Sequence, residues 1–177
     1  MKKVLIIVEI FFIFLILYFL QSNFFSWYNI AGVMPNLFVI LALFIGLFMG
    51  KIYGVILSAV FGIMLDLFIG DKIGITAIGL GIIGYLGGVL DKNFSKESRM
   101  TLMTMVFTSS IIYELIIYLL RILICDVQIE LIPFFKILIV EIIYNIIITI
   151  IIYPKFQTFG NYIQNTYTED KTFIKYF

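Results

Sequence analysis

The sequence has no histidine and a single cysteine, Cys125, among its 177 residues. Those two scarcities exclude zinc sites, haem ligation, a Cys–His nucleophile pair and an internal disulfide. Charge is scarce as well: 13% of residues are charged, against about 25% in an average soluble domain. The net charge of +1 and the lack of a long basic block leave nothing to recruit nucleic acid. What is abundant is apolar surface, with 63% hydrophobic residues and a mean hydropathy of +1.14. A core of this length cannot hide so much of it from water, so the expected solvent is lipid.

Six apolar runs suit membrane-spanning helices, over about 4–21, 34–49, 53–69, 74–90, 101–124 and 133–153. They are continuous rather than alternating, which argues against barrel strands. The expected architecture is an all-α integral membrane domain over 1–153, followed by a cytoplasmic tail over 154–177. Pro35 suits the first turn of the second helix. The first run follows Met1-Lys2-Lys3, but "QSNFFSW" after Leu20 has no small-residue cleavage site. It reads as a retained helix rather than a signal peptide.

Basic residues set the orientation. With a cytoplasmic N-terminus, the inside holds Lys2, Lys3, Lys51, Lys92, Lys96, Arg99, Lys155, Lys171 and Lys175, and the outside only Lys72, Arg121 and Lys136. Both termini are then cytoplasmic, with Ser95 on the same side. In the tail, Phe156, Phe159, Tyr162 and Ile163 fall at helical spacing and suit a short amphipathic helix on the inner interface.

Within "GVILSAVFGIMLD", Gly54, Ser58, Gly62 and Asp66 follow at intervals of four, a row that extends to Gly46 and Gly50 before it and Gly70 and Gly74 after it. Each interval turns a helix through about 400°, so the row is a slowly winding ridge. Small residues on such a ridge let a second helix approach closely. Gly81, Gly84, Gly87 and Gly88 offer a matching surface on the fourth run. The alternative reading of the row is a substrate or ion groove.

Asp66 is ionisable and intramembrane, as are Glu114, Arg121 and Glu141, and such groups are rare in lipid unless they are paired or functional. Arg121 can bridge to Glu141, Glu114 or Asp66, and Asn145 shares the Glu141 face at i+4. The set reads as a charge cluster that fixes helix order, a partner contact, or a proton or ion path. Glu9 lies near the inner surface, where it snorkels or pairs with Lys51. No carboxylate pair comes with a nucleophile, metal set or phosphate-cradling loop. "GLGIIG" (79–84) matches a dinucleotide fingerprint in letters only, because no strand precedes it.

The stretch from Val33 to Leu90 resembles the core of MreD, the rod shape-determining membrane proteins of bacteria. The features that carry the resemblance are Pro35-Asn36-Leu37, Lys51, Tyr53-Gly54, Gly62, Asp66, Gly74 and Gly84-Tyr85. Asn36 departs from the Asp that many members carry after that proline. The resemblance implies a multi-pass protein of the bacterial inner membrane, without enzymatic activity or cofactor. It implies a scaffold for lateral peptidoglycan synthesis, associated with the bitopic protein MreC. Through it, MreB filaments connect to the RodA glycosyltransferase and its penicillin-binding protein. It also implies a fold related to the vitamin-binding S-components of energy-coupling transporters. An S-component proper is the competing reading. Against it, the first run has neither Ala nor Gly for docking on a transporter core, and the outer loops offer few polar groups for a vitamin. A lipid-handling enzyme is a third class, and it lacks a catalytic set.

Overall fold

The computed structural model describes residues 2–69, 72–90, 98–125, 128 and 130–173. Gly70, Lys92, Ser95, Lys96 and Lys175, and the side chain of Lys171, lie outside the described residues. Among those described there are six main helices: α1 (Lys2–Phe19), α2 (Leu37–Met49), α3 (Lys51–Ile69), α4 (Ile75–Leu90), α5 (Arg99–Cys125) and α6 (Leu131–Phe173). Four helical segments are long and apolar enough to cross a membrane: Lys2–Trp27, α3, α5 and Leu131–Ile163.

The other two are shorter, and they form the centre. At 13 and 16 residues, α2 and α4 are about 20 and 24 Å long, below the ~30 Å of a hydrocarbon core. Every residue of α2 is buried, as its uninterrupted apolar sequence requires of a helix with no polar face. Gly50 alone joins α2 to α3, at φ 87° and ψ 177°, a conformation open to glycine. The helices α3 and α4 close around α2 on one side, and α5 and α6 pair on the other.

The first span runs further than its apolar run suggests. After α1 the chain makes a π-helical turn, Leu20–Phe24, and one more helical turn, Phe25–Trp27. Ile6, Ile10 and Phe14 form its buried face, with Phe14 stacked on Phe61 of α3 at 4.5 Å. Between this span and α2, Ile30 and Val33 exchange two backbone hydrogen bonds of 3.0 Å around Ala31-Gly32. That pairing satisfies backbone groups which an apolar setting would leave costly.

The last span also differs from expectation. The chain beyond Pro154 continues as α6 instead of starting a separate interfacial helix. Proline removes one helical hydrogen bond, and ring packing on α2 offsets it. Phe156 meets Phe44 at 4.0 Å, Phe159 stacks on the same ring at 6.0 Å, and Ile163 is fully buried. Phe156 and Phe159 of the tail therefore face α2, while Tyr162 is exposed.

Candidate functional site: two buried helix caps and a glycine seam

The four-residue row divides between two helices. Gly46 belongs to α2 and Gly54, Ser58 and Gly62 to α3, and both sets converge on α4. A Cβ at Gly54 would come 2.8 Å from the Gly46 Cα, and one at Gly62 would come 2.7 Å from the Ala77 nitrogen. A Cβ at Gly84 would meet the Ser58 Oγ at 2.7 Å, and one at Gly88 would meet the Gly50 carbonyl carbon at 2.8 Å. Apart from the Ser58 hydroxyl these are backbone atoms, and they lie closer than a Cβ permits. Gly81 is different: its nearest neighbour would be the Ala59 Cβ at 3.6 Å, an ordinary contact. Gly50 and Gly74 serve in turns, at φ 87° and 109°.

Asp66 ends the row, and it faces the start of α4. Its Oδ2 accepts the backbone N–H of Gly74 at 2.7 Å and of Ala77 at 3.3 Å, while Oδ1 accepts that of Thr76 at 3.2 Å. The first amides of a helix have no partners within it, and their partial positive charge favours a carboxylate. Asp66, only 3% exposed, thus caps a helix that supplies no capping side chain of its own.

A second cap opens α2, built from three other helices. The Asn36 Oδ1 accepts the Val39 N–H at 3.3 Å, an N-cap of the usual kind. Gln21 Oε1, displaced by the π turn, accepts the Leu37 N–H at 3.1 Å. From α6, Asn145 Oδ1 accepts the Asn36 N–H at 2.8 Å, and Asn145 Nδ2 donates to Ser110 Oγ of α5 at 2.9 Å and to Glu141 Oε1 at 3.5 Å. Asn145 and Ser110 are fully buried and Glu141 nearly so. Tyr113 and Glu114 of α5 lie close to Asn36 and Glu141 at the same cap.

The five polar residues grouped from the sequence therefore fall into separate places. Glu114, Glu141 and Asn145 gather at the α2 cap, and Asp66 stands at the α4 cap. Arg121 is exposed near the end of α5 and forms no salt bridge with Asp66, Glu114 or Glu141 among the described residues. It acts on Glu114 only as a nearby charge. Amide dipoles and side-chain amides do the work expected of the guanidinium, without the desolvation cost of a buried ion pair. Lys51 lies over the Tyr85 ring, 5.5 Å from its centroid, and not beside Glu9.

Gln21, Ser110 and Tyr113 are site residues the sequence reading did not single out. Nothing local marks them, since each acts across a helix boundary. Asn36 did carry a signal, an N-cap residue directly before an apolar helical run.

Chemically, this arrangement holds helix ends in place. Its polar atoms point at backbone amides and at each other, in the middle of an apolar bundle. No curated protein and no solved structure matches the chain significantly. The family model of the rod shape-determining protein MreD matches residues 1–163. That match spans nearly the whole chain and takes in the glycine seam and both caps, so the chain belongs to the MreD family of rod shape-determining proteins.

Proposed function

We propose that this protein is a non-enzymatic, multi-pass scaffold of the bacterial inner membrane that supports lateral peptidoglycan synthesis within the elongation machinery. The observation that carries the reading is the use of the buried polar groups. Asp66, Asn36, Gln21 and Asn145 are each hydrogen-bonded to backbone at a helix N-terminus. Such wiring makes a rigid body with apolar outer faces, suited to holding other membrane proteins. The partners this reading names are an MreC-like bitopic protein, and with it a RodA-type glycosyltransferase, its penicillin-binding protein and MreB.

This reading puts both termini in the cytoplasm. The end of the bundle at Gly50 carries Lys51 and Arg99, the latter over the Tyr153 ring at 5.1 Å, and basic residues favour the inner face. Lys72, which donates to the Ile124 carbonyl, and the exposed Trp27 then mark the outer face.

Depletion in a rod-shaped host tests the function. Cells that widen and round, with no vitamin restoring them, support it. Rod-shaped cells with a growth defect cured by one vitamin identify an S-component instead.

A further inference from the structure

An apolar groove runs between α1, α2 and α6, lined by Ile13, Leu17, Leu41, Phe44, Ile152 and Phe156 among others. Lys155, exposed on α6, is the charged side chain in its wall. A second charge lies just beyond the end of this groove. Gln21 sits at Leu37 and Ile13 shares the groove with Phe44, so α1 and α2 run antiparallel here. Glu9, one turn before Ile13 on the same face of α1, therefore lies level with Phe48. On α6, Phe156 meets Phe44 and Gly160 meets Phe48, so Lys155 lies five residues, about 7.5 Å along the axis, from that level.

Glu9 Oε2 is buried and has no hydrogen-bond partner. An unpaired carboxylate oxygen in an apolar setting is costly, so the position asks for a cationic donor. An apolar channel with one cation in its wall and one anion just beyond its end is complementary to a zwitterionic phospholipid. A purely anionic headgroup would meet Lys155 but would set its charge against Glu9.

We propose that this groove binds a phospholipid with a primary amine headgroup, one acyl chain along Leu41 and Leu17, the phosphate on Lys155 and the ammonium on Glu9. The site is independent of the scaffold reading, because it rests on this chain alone.

Native mass spectrometry of the full chain tests it, after delipidation in detergent and addition of phosphatidylethanolamine or phosphatidylglycerol with matched chains. The wild type should retain the amine lipid several-fold better. Glu9→Gln should bring that ratio to near one, and Lys155→Leu should weaken retention of both lipids. Ile13→Trp, which fills the groove away from the headgroup, should abolish retention. Equal retention of the two lipids by the wild type, no retained lipid, or an unchanged ratio in Glu9→Gln would overturn the proposal. Both charge variants leave the apolar lining in place, so the outcome does not hinge on whether Ile13→Trp folds.

Discussion

Asp66 Oδ2 and the backbone N–H of Gly74 lie 2.7 Å apart, the shortest of three hydrogen bonds by which one carboxylate of α3 starts α4. The chain reverses direction between these two residues, so the carboxylate caps the very helix that its own helix turns into. Capping from a neighbour places α4 firmly against α3 before any glycine contact is counted.

Asp66→Ala should therefore destabilise the protein by about 3 kcal/mol or more, since each orphaned buried amide costs about 1–3 kcal/mol. Asp66→Asn, which keeps one oxygen, should cost about 1 kcal/mol. Melting temperature in detergent gives the order. Equal melting of Asp66→Ala and wild type would mean the cap contributes nothing.

The seam separates glycines by what a Cβ would meet. Gly62→Ala and Gly84→Ala push backbone on backbone and should cost about 1–3 kcal/mol each, as overpacking does. Gly62→Ala is thus not a mild change, despite its small size. Gly81→Ala should be near neutral. Folded protein per cell and melting temperature should rank the three variants in that order.

Asn36 and Glu141 meet at the α2 cap through Asn145, which accepts the Asn36 N–H and donates to Glu141. Asn36→Asp should lower stability by about 1–3 kcal/mol, by setting a second carboxyl against Glu141 in a dry site. Adding Glu141→Gln should restore most of that loss. A double variant no better than Asn36→Asp would break the link between the two residues.

Arg121→Leu should cost less than about 1 kcal/mol, as expected for an exposed charge without a bonded partner. A loss as large as that of Asp66→Ala would show the guanidinium to be a true counter-ion.

The helical character was legible because lipid-length apolar runs leave few alternatives, while the central, wholly buried place of α2 was not, since its run read like the other five. The Asn36 cap was not read: the sequence put Pro35 in the first turn of α2, and the helix instead starts at Leu37 behind the Asn36 cap. Asp66 was visible as an anomaly while its partner was not, because the amides it binds lie eight or more residues away across a turn. The π turn that aims Gln21 leaves no mark in composition. The helical spacing of Phe156, Phe159 and Ile163 showed a face but not what it meets, and Pro154 argued for a break that packing on Phe44 and Phe48 overrides.

Isolation of the tagged protein from its own native membranes, with quantification of what accompanies it, tests the scaffold account most directly. An MreC-like bitopic protein and a RodA-type glycosyltransferase should be recovered in amounts comparable to the protein itself, and melting-neutral Gly81→Ala should keep them. Recovery of an ATP-driven transporter core in their place would contradict the account.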